Sequence, residues 1–329
     1  MKIIDAHVHI WKGFEADALS DFILESGSSG AVIQAVDHSE YGSLIPAALE
    51  LKRKYPGRFH VFGAPCRAEY FKGSSGIGER QRDYLKRMTE LGIDGIKLLE
   101  GKPQMRKAVP VPDFNDECWE PFWKWAEEEQ LPVMWHVNDP ETNWKEDASP
   151  WLVEQGWAYD ESFINNEEQY AQVLEVLARH PGMKVIFAHF FFMSAQLGRL
   201  AEIMDKYPAV MLDITPGIEM FENFSKDPKE TAAFFEKYHN RICYGTDIGG
   251  RCILTNEGKA FNARECRKRP EIIRYYLEGK EERVIRSDGD FLIQREPFMM
   301  KPLGLEGERL EEIYSGNILR QIGKSEQMK

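Results

Sequence analysis

The chain has 329 residues, 43% of them hydrophobic and 12% aromatic, a globular composition that excludes intrinsic disorder. A formal net charge of −12 argues against nucleic acid or an anionic membrane as partner, because both select a basic surface. No apolar run reaches the length of a membrane span, no basic-then-apolar leader opens the chain, and Cys66, Cys118, Cys243, Cys252 and Cys266 form no C-x-x-C pair; reduced thiols in a cytoplasmic protein are expected.

The first ten residues, Met-Lys-Ile-Ile-Asp-Ala-His-Val-His-Ile, begin as a buried β-branched strand and carry His7 and His9 two positions apart. On a strand both imidazoles project from one face. They serve there either as paired metal ligands or as two hydrogen-bonded strand-end residues. A helix over 15–26 closes at Gly27, and 30–36 reads as a second buried strand. A helix over 43–55 stops at Pro56-Gly57, and 59–64 makes a third strand. A Gly/Ser-rich loop leads to a charged helix over 79–91, a fourth strand over 95–99 and a Trp-rich helix over 118–130. Strands follow at 131–137, 184–190, 209–214 and 242–246, separated by helical patterns at 167–180, 194–207 and 228–238. The segment 316–322 reads as a final helix tying the tail to the body.

Short, nearly all-apolar strands alternating with helices define a parallel sheet. Eight such units fit a closed (β/α)8 TIM barrel better than an open doubly wound sheet, and no G-x-G-x-x-G follows any strand. The expectation is one domain over 1–329, with insertions after strands 5 and 8. Long connections at 138–166 and 248–264, with the tail at 281–302, fall where a barrel places its catalytic face. The first carries Trp144, Trp151 and Trp157, which either line a lid or pack the insertion onto the rim.

A barrel confines chemistry to the carboxyl ends of its strands. His136 closes the fifth strand, His189 the sixth and Asp247 the eighth, joining His7 and His9 from the first. His60 begins a strand, while His180 and His239 end helices, so these three belong to the opposite face or the helix layer. His38, after the second strand, lines the pocket or is a solvated loop residue. Three imidazoles with one carboxylate make an open site suited to one divalent ion, zinc first and manganese next.

These residues carry a resemblance. Asp-Ala-His-Val-His on strand one, His136, His189 and Thr-Asp247 together resemble the amidohydrolase superfamily. The similarity is greater to its mononuclear, amidohydrolase-related branch, typified by aminocarboxymuconate-semialdehyde decarboxylase. That resemblance implies that His7, His9, His136 and Asp247 hold one metal ion, with His189 as a further ligand or an acid–base partner. Lys97, within strand four, is either carboxylated to bridge two metals, as in binuclear relatives, or reaches the pocket to bind an anion. Relatives of this kind commonly form homodimers.

Arg251 lies just past Asp247 after two glycines, where it would clamp a substrate carboxylate or pair with an acidic residue of the lid. Asn138 is a substrate donor or a capping residue of the insertion. The leading expectation is a metal-dependent hydrolase in which activated water attacks a lactone, ester or amide carbonyl of a small carboxylate-bearing compound, with Asp247 and His189 catalytic. The alternative is metal-dependent, non-oxidative decarboxylation of an aromatic or enol acid. A barrel that binds metal only for stability, or a ligand without turnover, ranks below both.

Overall fold

The computed structural model describes residues 1–145, 147–254, 261–286 and 297–323. Eight parallel strands stand side by side in chain order: β1 (Ile4–His9), β2 (Gly30–Ala35), β3 (Phe59–Gly63), β4 (Gly95–Gly101), β5 (Val133–Val137), β6 (Val185–Phe187), β7 (Val210–Asp213) and β8 (Ile242–Cys243). The cylinder closes where the chain leaving β8 runs along β1. There Ala6 N–H donates to Tyr244 O (2.8 Å), Asp247 N–H to His7 O (2.7 Å) and His9 N–H to Ile248 O (2.7 Å). This is the TIM barrel that the strand–helix alternation implied.

The staves separate two cores. Inside, Ile4, Ala6, Val32, Phe62, Met134, Ile186, Met211 and Cys243 fill the lower barrel. Ile318 joins them from α10 (Asn317–Gln321), with Leu319 and Ile322 packed alongside. Asn317 fixes that helix by donating its amide to His239 O (2.7 Å) and Ile242 O (2.6 Å). Outside, alternate strand residues meet the helix layer. On β5, Met134 and His136 lie on one face, while Trp135 on the other stacks on Trp123 of α4 (Glu120–Glu128) at 4.9 Å.

The helix ends follow local sequence. Gly92, with φ 112°, ends α3 (Ile77–Leu91) in the left-handed conformation that favours glycine. Asn165 caps α5 (Asn166–Arg179) by accepting from Glu167 N–H, and Asn262 caps α9 (Ala263–Glu278) through Glu265 N–H. The remaining layer comprises α1 (Ala16–Glu25), α2 (Ile45–Lys54), α6 (Leu197–Lys206), α7 (Ile218–Lys226) and α8 (Pro228–Tyr238). Among the described residues no helix is long and apolar enough to cross a membrane, and no cysteine is in a disulfide.

Two local features differ from the simple reading. First, β1 is bulged: Asp5 pairs with Ala31 and Val8 with Ile33, leaving Ala6 and His7 together opposite Val32. A bulge re-aims a side chain, and here Ala6 packs in the barrel interior beside an inward His7. Second, β6 ends at Phe187 instead of running to 190. Residues 189–192 turn left-handed, with φ between 51° and 58°. Of the two readings of Trp144, Trp151 and Trp157, the ring contacts are those of packing within the 138–165 connection. Trp144 meets Tyr159 at 4.8 Å, and Trp151 meets Trp157 edge-on at 5.3 Å. Of the two other long segments expected at the mouth, residues 255–260 and 287–296 lie outside the described residues.

Candidate active site

At the carboxyl mouth of the barrel, His7 and His9 hang from β1 with their Nε2 atoms 3.2 Å apart. Asp247 Oδ1 approaches both, at 3.3 Å from His9 Nε2 and 3.8 Å from His7 Nε2. The far side of each ring fixes its tautomer. His9 Nδ1 lies 3.2 Å from Gln34 O, a carbonyl that can only accept, so Nδ1 carries the proton. His7 Nδ1 lies 2.7 Å from Asp213 Oδ2, a carboxylate at the end of β7, and 3.2 Å from Thr215 Oγ1. Both Nε2 atoms are therefore lone-pair donors aimed at one another and at a carboxylate oxygen. Such a set repels itself unless a cation sits against it. Lys97 Nζ, fully buried on β4, supplies one positive charge 3.0 Å from His7 Nε2.

Burial pushes the pKa of each inward histidine down, well down for His7 and His189, with the Lys97 charge adding to the effect at His7. They are neutral imidazoles at pH 7, the form that binds metal. Burial also brings the Lys97 ammonium down to about 8. For Asp247 burial acts in the opposite sense, but the carboxyl is held well below its usual range, with the charge of the Arg269 guanidinium opposing burial.

Among the described residues, His7, His9 and Asp247 form the group whose ligand atoms all lie within 4.8 Å of one another. His136 and His189 adjoin this trio. The His189 ring is 5.5 Å from His7 and 4.9 Å from His136, and it stacks on Phe192 at 5.0 Å. His136 Nε2 is buried and lies 3.5 Å from Asp139 Oδ1 without hydrogen-bonding geometry. Asp139 is itself held by Lys102 Nζ at 2.6 Å and by the Tyr159 hydroxyl, which ties the 138–165 connection to the rim. Asn138 is committed to the same task. Its amide donates to Asn166 O (3.0 Å) and accepts from Gln169 Nε2 (2.7 Å). Arg251 is half-buried on the short helix Gly250–Leu254 that follows Asp247.

The expected outsiders stay outside. His60 lies 3.8 Å from Asp94 at the amino end of β3, His180 contacts Glu120 and Glu127, and His239 is half-buried beside Glu236 O. His38 is buried and stacked on Tyr41. Two important groups escaped sequence reasoning. Asp213 carried a readable signal, a carboxylate ending the apolar run Val-Met-Leu on the seventh strand. Arg269 carried none, because it sits in the charged stretch Arg-Lys-Arg of α9, where a solvated face is the natural reading.

An eight-stranded barrel that gathers neutral histidines and an ionised aspartate at its carboxyl mouth is built as a barrel enzyme. The model of the family described as Amidohydrolase matches residues 4–250, and this chain belongs to that family. A comparison with curated proteins finds no match. Among solved structures, an uncharacterized TIM-barrel protein from Bordetella bronchiseptica superposes with a TM-score of 0.59 at 14% identity, covering 98% of this chain and 99% of that one. The 4-oxalomesaconate hydratase of Rhodopseudomonas palustris gives 0.54 at 13% identity, over 98% and 96%. The 2,6-dihydroxybenzoate decarboxylase of Rhizobium gives 0.56 at 13%, over 98% and 99%. At such identities the likeness is one of fold.

Proposed function

We propose that the protein is a metal-dependent hydrolase acting on a lactone, ester or amide of a small carboxylate-bearing compound. The observation that carries this reading is the convergence of His7 Nε2 and His9 Nε2, both buried, with the half-buried Asp247 Oδ1, three lone-pair donors whose other polar atoms are already occupied. The set fits one divalent ion, zinc first and manganese next. His136, whose buried Nε2 has no hydrogen-bond partner among the described residues, completes it. A divalent ion held there acidifies water and polarises a carbonyl.

The chain's own groups supply the rest. Asp247, kept ionised, accepts the proton of the attacking water and passes it towards the leaving group. His189, neutral and held by its backbone N–H to Asp213 Oδ1 (2.7 Å), orients that water and the substrate oxygen. Lys97 and Arg251 bind the substrate's carboxylate, an ammonium from the floor of the mouth and a guanidinium from its rim.

Elemental analysis of the purified protein, with reconstitution of metal-free chain by zinc or manganese, tests the site. About one ion per chain is expected, and its absence after reconstitution would remove the reading. A screen of lactones and aromatic carboxylates then tests the reaction. Turnover of a lactone upholds hydrolysis, whereas release of carbon dioxide from an aromatic acid would replace it with decarboxylation at the same site.

A further inference from the structure

Arg269 lies in α9, outside the ring of strand ends, and is fully buried. One of its nitrogens, Nη1, grips both halves of the turn that carries Asp247. It donates to the Thr246 carbonyl at 3.0 Å and to Asp247 Oδ2 at 3.3 Å. Its Nε donates to Glu265 Oε1 at 2.7 Å, one helical turn back, which fixes the plane of the guanidinium. The backbone it grips is strained, since Asp247 adopts φ 56°, a left-handed conformation that costs a non-glycine residue free energy. The two carboxylate oxygens are thus divided, Oδ2 to Arg269 and Oδ1 to His9 and His7.

We propose that Arg269, braced by Glu265, is the positioning residue of the metal site. It holds Asp247 so that a single oxygen faces the two histidines. The inference rests on the functional reading above. Charge supports it. Glu265, Arg269 and Asp247, with Lys97 and Asp213 beside His7, together carry one net negative charge, which a cation at the histidines offsets; a further carboxylate without the arginine would be an uncompensated charge. Nη2 is buried without a partner among the described residues.

The test is zinc affinity, measured by titrating metal-free protein against a chromophoric chelator, for wild type, R269K, D247N and the double variant. Lysine keeps the charge but lacks the rigid fork that reaches Thr246, Asp247 and Glu265 at once. R269K is expected to bind zinc about tenfold more weakly, and to add less than about twofold once Asp247 is asparagine, because its effect runs through that carboxylate. Wild-type affinity in R269K, or an undiminished loss on the D247N background, overturns the proposal. If R269K does not fold, E265Q carries the same comparison, with a weaker loss in the same direction expected and wild-type affinity overturning it. Absence of zinc binding by the wild type would defeat the functional reading. A crystal structure of R269K then decides the role of Arg269: a swung Asp247 carboxylate upholds it, and Oδ1 still against His9 Nε2 overturns it.

Discussion

At Asp247 the position of one side chain depends on residues with no chemistry of their own. A Cβ added at Gly250 would come 2.2 Å from Asp247 Oδ1. Gly250→Ala is therefore expected to push the carboxylate out of the cluster and weaken zinc binding about tenfold or more, in the range seen when support for a ligand is lost; chelator titration measures it. His9→Ala should strip bound metal, whereas His60→Ala and His239→Ala should retain it, as elemental analysis of the purified variants would show. Much of this was legible from residues alone. The two-residue spacing of His7 and His9 and the strand-end places of His136, His189 and Asp247 pointed to one mouth. The supporting groups were not legible to the same degree. Asp213 reaches His7 across the barrel from β7, and Arg269 reaches Asp247 from a helix; neither contact has a sequence spacing to announce it.

Among the elements, the strand–helix alternation was readable because the staves are short and mostly apolar and several helices have a cap or a glycine stop. The shortened β6 was not. Ala-His-Phe-Phe-Phe carries no glycine to mark a left-handed turn, and tertiary contacts impose it. Asp213 accepts the His189 N–H, the Tyr170 hydroxyl donates to Phe191 O at 2.9 Å, and Phe191 stacks on Phe187 at 3.8 Å. At the opposite end of the barrel, Asp94 binds the start of β4 to its neighbours, accepting from Lys52 Nζ (2.6 Å) and Val61 N–H (2.8 Å). Burial raises its pKa, but His60, Lys52 and the Val61 N–H together bring it below the ordinary range. A depressed folded-state pKa adds stability above the unfolded value of about 4 and loses it as pH falls further. Asp94→Asn should accordingly cost about 1–3 kcal/mol at neutral pH. Denaturant melts should show the gap narrowing below about pH 4, and a gap constant with pH would refute the ion-pair account. On the outer layer, Trp123→Ala removes the partner of Trp135 and should cost about 3–5 kcal/mol in the same melts.

Across the whole molecule, the candidate site draws on β1, β4, β5, β6, β7 and the chain beyond β8, so it exists only when the cylinder is closed. A ligand that binds the folded state alone stabilises it by mass action, about 2.7 kcal/mol at a hundredfold excess over Kd. The melting temperature of the metal-free protein should rise with added zinc, and an unchanged value would argue that the three donors hold nothing. The closing seam also imposes an order on synthesis. His7 and His9 emerge early, yet their partner Asp247 and its brace Arg269 follow only after all eight staves are made. A growing chain can offer a metal only imidazoles not yet gathered with that carboxylate, so on the proposed reading capture of the ion belongs to the finished barrel, and the free metal available at that moment selects which ion is kept.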